Sequence, residues 1–82
     1  MMPPLEIIDG IKLFVYDETG GKHHEAHFHA YYAEFSAEFY MDGALKEGKL
    51  PNSQTKKVLD WLSSGGRDKA VNKWKELNEN EN

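Results

Sequence analysis

The chain of 82 residues contains no cysteine, which excludes a disulfide framework and any thiolate zinc site. Apolar runs are short, and none approaches the roughly 20 residues that a membrane span requires. The start, Met-Met-Pro-Pro-Leu-Glu, shows no basic segment followed by an apolar one, so no signal peptide is expected. Together these absences lead to the expectation of a cytoplasmic protein with no membrane partner. No phosphate-loop pattern follows Gly20-Gly21, which reads as part of a hairpin loop. Repeats and low-complexity segments are also lacking, and the whole of residues 1–82 is expected to form one domain. Positive charge is in deficit. The net charge is −4, which argues against a dedicated nucleic-acid binder that must neutralise phosphates. The imbalance is uneven: residues 1–48 hold nine acidic against three basic side chains, whereas residues 49–82 hold five against seven. That pattern fits solvated helix faces, or a basic helical face for an acidic partner.

What is present is concentrated between His23 and Asp42, which holds all four histidines, three of the four tyrosines and three of the four phenylalanines. Successive side chains of a strand point to opposite faces. A two-residue turn at Ala33-Glu34 pairs Tyr32 with Phe35, Ala30 with Ala37 and Phe28 with Phe39, making one apolar face. The other face then sets His27 opposite Tyr40, His29 opposite Glu38 and Tyr31 opposite Ser36. A slip of one residue would scramble both faces, so the register is well specified.

The flanking segments extend this hairpin into a sheet. Leu5–Ile8 reads as a short strand turning through Asp9-Gly10, and Ile11–Tyr16 as a central strand with apolar side chains on both faces. Asp42-Gly43 offers a turn into a last short strand, Ala44–Lys46. After Gly48 the period changes. Leu50-Pro51-Asn52-Ser53 supplies a helix start, with Asn52 or Ser53 as the capping side chain. Val58, Leu59, Trp61 and Leu62 form an apolar stripe. Ser63-Ser64-Gly65-Gly66 ends that helix, and a second one runs from Arg67 or Asp68 to Leu77, with Ala70, Val71, Trp74 and Leu77 inward. Met1–Pro4 and Asn78–Asn82 read as loose ends. The expected fold class is α+β: an antiparallel β-meander of four to five strands, followed by two C-terminal helices packed on one face. Trp61 and Trp74 are expected in the core.

His27 and His29 form a His-x-His pair whose imidazoles share one strand face. Neutral imidazole is both a metal ligand and a general base near neutral pH. The candidate catalytic residues are therefore His27, His29 and Glu38. The candidate metal ligands are His27, His29 and His24, with His23, Glu25 and Glu38 nearby and Asp17, Glu18 and Glu25 as loop acids suited to a hard cation. The simplest alternative is a pair of solvent-facing histidines, one of them paired with Glu38. Gly21, His27, His29 and Glu34 match the first half of the cupin metal motif. The chain is too short for that barrel, no histidine follows His29, and Glu34 falls in the turn. No cofactor is implied by any of these motifs.

Order and spacing carry one resemblance. The segments Gly-Ile-Lys-Leu-Phe-Val-Tyr at residues 10–16, His-Phe-His-Ala-Tyr at 27–31 and Glu-Gly-Lys-Leu-Pro at 47–51, with Trp61 and Trp74 beyond them, resemble the bacterial domain of unknown function DUF4160. The likeness runs from about Ile8 to Leu77, with Glu25-Ala26 standing where Pro-Pro is usual. It implies a cytoplasmic prokaryotic protein encoded beside another small protein, as a regulatory member of a toxin–antitoxin-like pair. No catalytic residues come with it. The first expectation for function is a protein-interaction module whose partner is the small neighbouring-gene product, with self-association as a further possibility. The alternative is a metal-independent ribonuclease using His27 or His29 as general base, which would make RNA the ligand. A His-x-His metal-binding protein is the third reading.

Overall fold

The computed structural model describes residues 2–18 and 25–79. Five antiparallel strands follow one another in the order β1-β2-β3-β4-β5: β1 (Glu6–Ile8), β2 (Ile11–Phe14), β3 (His27–Tyr32), β4 (Phe35–Tyr40) and β5 (Leu45–Lys49). Each pairs with its sequence neighbour; the β1–β2 and β3–β4 connections are two residues long, whereas 12 residues separate β2 from β3. The β1–β2 turn places Asp9 at φ 47° and Gly10 at φ 82°, the pair of positive φ angles that a tight hairpin needs to match strand twist. The β3–β4 register is the one expected from side-chain parity, His27↔Tyr40 through Tyr32↔Phe35.

The last strand departs from its expected bounds. Instead of Ala44–Lys46 it spans Leu45–Lys49, because pairing with β4 outweighs the low strand preference of Glu47 and Gly48. The register jumps from Glu38↔Glu47 to Phe39↔Leu45, leaving Lys46 as the extra residue of a bulge. Gly48 sits at φ 75°, and a Cβ there would overlap the Ser36 carbonyl oxygen. No other residue fits that close approach without displacing the neighbouring strand. At the other end, β2 stops at Phe14 rather than Tyr16, although Val15 continues its inward alternation and is buried.

Two helices, α1 (Asn52–Trp61) and α2 (Arg67–Asn78), follow the sheet. Pro51, rather than Asn52 or Ser53, occupies the cap position, with no side-chain cap. Its carbonyl accepts from the amides of Gln54 and Thr55 at 3.0 and 2.9 Å. Asn52 is already helical, so its side chain cannot reach back to the first free amides. The expected break falls at Leu62–Gly66, where Ser64 (φ −102°) and Gly65 (φ 106°) leave helical geometry.

The helices cover one face of the sheet. Val58, Leu62, Ala70 and Trp74 meet Ile11, Leu13, Val15, Phe28, Ala30, Ala37 and Phe39 in a single buried cluster. Phe28 and Phe39 stack at 5.5 Å at its centre, and burying such a side chain contributes about 1.5–3 kcal/mol. Two expected core residues are less deep. Leu59 is 40% exposed, since Val58 and Leu62 at i and i+4 define the inward face and Leu59 falls on its border. Trp61 is half-buried; its indole packs on Phe28 and donates Nε1–H to Glu6 at 3.0 Å. Among the described residues, no helix is long and apolar enough to cross a membrane.

Candidate functional site

The face of the sheet opposite the helices is organised in rows across the strands. One row is Ile7, Lys12, Tyr31, Ser36 and Lys49; the next is Phe14, His29, Glu38 and Glu47; the last described one pairs His27 with Tyr40. Beyond Phe14 the chain keeps its alternation, so Tyr16 and then Glu18 arrive on the histidine side. The segment is held there by Asn78 at the end of α2. The Asn78 Nδ2 donates to the Tyr16 carbonyl at 3.0 Å, and its Oδ1 accepts from the Glu18 amide at 2.6 Å. Asn78 therefore belongs to the fold rather than to a loose tail: the polar end of the helix satisfies backbone groups of a segment 60 residues earlier.

Glu18, His27 and His29 converge, each offering one ligand atom, all within 4.8 Å of one another. Glu18 Oε2 lies 3.0 Å from His27 Nε2 and 3.5 Å from His29 Nε2. The other ring nitrogen of His27, Nδ1, is 2.8 Å from the Glu25 carbonyl. A carbonyl can only accept, so Nδ1 carries the hydrogen and Nε2 is the atom aimed at Glu18. The Nε2 of His29 is covered and has no hydrogen-bond partner among the described residues.

Aromatic packing sets both rings. Trp74 packs against His27 at 5.1 Å, and Tyr16 meets His29 edge-on at 4.6 Å with Tyr31 stacked on the same ring at 6.3 Å. The Tyr16 and Tyr31 hydroxyls are 3.2 Å apart. Burial, with the Tyr31 hydroxyl as a second cause, pushes the Tyr16 phenol up to about 12. A cavity of about 250 Å³ adjoins this cluster, bounded by His29, Tyr31, Ser36, Glu38, Glu47 and Gly48.

Several expectations change here. His27 is not a solvent-facing histidine: it is 2% exposed, enclosed by Trp74 and the Glu18 segment. His29 and Glu38 are backbone neighbours as expected, yet the imidazole within reach of Glu38 is that of His27, at 3.8 Å. Glu38 is also held by Lys46 Nζ at 3.4 Å. Glu34 is exposed in the turn, which removes the cupin-like set. Glu25 contributes its carbonyl rather than its carboxylate. His23 and His24 lie outside the described residues. Glu18, expected only as a loop acid suited to a hard cation, instead joins the two histidines; the two-residue alternation Phe14, Tyr16, Glu18, read from the position where Phe14 faces His29, carries the signal.

These features define a small α+β domain with a His-x-His strand and a converging carboxylate, where Trp74 and Asn78 of α2 reach the histidine-bearing side of the sheet. The chain matches the family model described as Domain of unknown function (DUF4160) over residues 10–75, and it belongs to that family. No curated protein and no solved structure matches it.

Proposed function

We propose that this chain is a binding domain that docks a small partner protein across the helix-free face of its sheet, as the regulatory member of a toxin–antitoxin-like gene pair. The observation that carries this reading is the row Ile7, Lys12, Tyr31, Ser36 and Lys49. Ile7 is 55% exposed, Lys12, Ser36 and Lys49 are exposed as well, and Tyr31 is half-buried. Tyr31 stands at the middle of the row with Lys12 and Lys49 to either side and Ile7 at the β1 edge, an aromatic centre with a polar rim of the kind protein interfaces use. The two lysines suit a partner surface that carries carboxylates. A nuclease has less support, because His27 is enclosed and the His29 Nε2 is covered, and a general base must come within hydrogen-bond reach of the proton it removes.

Co-expression with the product of the adjacent gene, followed by affinity measurement, tests the proposal. Reversing the charge of Lys12 and Lys49 together (Lys12→Glu, Lys49→Glu) should weaken the complex at least about tenfold and slow its formation. Lys56→Glu, on the exposed face of α1, should leave it unchanged. Absence of a complex, or equal sensitivity of the helix variant, would overturn the reading.

A further inference from the structure

We propose that Glu18, His27 and His29 constitute a binding site for a divalent transition-metal ion of the zinc class. The site adjoins the partner row through Tyr31, which stacks on His29, but none of its three ligands belongs to that row. A tetrahedral ion with bonds of about 2.0–2.1 Å needs ligand atoms roughly 3.3 Å apart. Two of the three edges here, 3.0 and 3.5 Å, bracket that value, and the whole set lies within 4.8 Å. The remaining edge joins the two imidazole nitrogens, is no longer than 4.8 Å, and closes by rotation of the rings.

Each ligand is also prepared for the role. Metal-bound histidines commonly donate their other ring N–H to a carbonyl or carboxylate, which fixes the tautomer and the ring plane. His27 does so through Nδ1 to the Glu25 carbonyl, leaving Nε2 directed inward. Among the described residues the His29 Nε2 is covered without a hydrogen bond, and a buried ring nitrogen left in that state is costly unless a partner or an ion meets it. Glu18 is positioned through its backbone amide by Asn78. Trp74 and Tyr16 hold the two rings from the sides.

The donor set selects the class of ion. Two imidazoles and one carboxylate suit zinc and its transition-metal neighbours, whereas calcium and magnesium prefer all-oxygen shells. Three protein ligands leave a fourth position for water, as in open zinc sites. Glu38, 3.8 Å from His27 Nε2, is near enough to accept a hydrogen bond from that water.

The test uses the full chain stripped of metal by a chelator. Titration with Zn²⁺ by calorimetry, and with Co²⁺ by visible absorption, should show one ion per chain. Zn²⁺ should also raise the thermal midpoint, because a ligand bound only by the native state stabilises it. Glu18→Gln and His29→Ala, each checked for folding by circular dichroism, should weaken binding at least about tenfold, the lower limit expected from losing even an outer-shell partner. On the wild type itself, imidazole nitrogen NMR should show Zn²⁺ shifting Nε2 of both His27 and His29. Failure to take up one ion per chain, shifts at His23 and His24 instead, or a smaller loss in either folded variant would overturn the assignment.

Discussion

Replacing Asn78 by alanine should destabilise the whole domain, although Asn78 is the final residue of α2. The side chain makes two contacts across the fold, to the Tyr16 carbonyl at 3.0 Å and from the Glu18 amide at 2.6 Å, and one within its helix, to the Trp74 carbonyl at 3.2 Å. A typical intramolecular hydrogen bond contributes about 0.5–1.5 kcal/mol net, and a deserted buried group costs more. Asn78 is half-buried, so water can reach part of the vacated site, and the two cross-fold bonds together should be worth about 1–2 kcal/mol. For a domain of this size that corresponds to a fall of roughly 5–15 °C in Tm. Thermal and urea unfolding followed by circular dichroism measure it. Hydrogen exchange at the Glu18 amide supplies a local check, since that amide loses its acceptor. A Tm within about 1 °C of wild type, together with unchanged protection of the Glu18 amide, would mean that α2 does not clamp this segment. The scale of the expected Tm change makes that outcome easy to recognise.

Two further perturbations test other parts of the fold. Ala33 takes φ 52° in the β3–β4 turn; relieving a left-handed alanine gains about 1–2 kcal/mol, and the freer unfolded glycine returns about 0.5–1. Ala33→Gly should therefore stabilise by roughly 0.5–1 kcal/mol in urea unfolding, and a destabilised variant would contradict the turn. The Glu6 carboxyl is held below its ordinary 4.5 by the hydrogen bond from the Trp61 indole first, then by the Lys69 hydrogen bond and charge. Because its folded-state pKa is depressed, its contribution is present above the unfolded value and fades as pH falls through the folded one. Glu6→Gln should cost about 0.5 kcal/mol at neutral pH after solvent screening. Urea midpoints should converge with wild type below the ordinary carboxylate pKa, and a gap that stays constant or widens toward acid would refute this ion pair.

Much of the sheet could be read directly from residue order, for a local reason. Alternation of period two is a property of neighbouring residues, so Phe28, Ala30, Tyr32, Phe35, Ala37 and Phe39 sort to one side wherever the hairpin sits, and its register follows. Asp9-Gly10 announces a turn because both residues tolerate positive φ. The helical stripe and the glycines that interrupt it are local signals too. Capping was less legible: Asn52 and Ser53 are good capping residues, but the chain enters the helix one residue earlier.

The site was legible only in half. His27 and His29 share a face because they are two residues apart on one strand. Whether that face is wet at His27, and which acid meets the pair, depends on segments far away in the chain. Trp74 encloses His27 from α2, and Asn78 draws Tyr16–Glu18 against the start of β3. No periodicity of residues 14–32 encodes a helix end near residue 78. The deciding contacts arise from packing α2 across the sheet, where burial and the need to satisfy backbone polar groups choose the partners. The strand pattern thus sets the histidines side by side, and the docking of the last helix turns them into an enclosed cluster with Glu18.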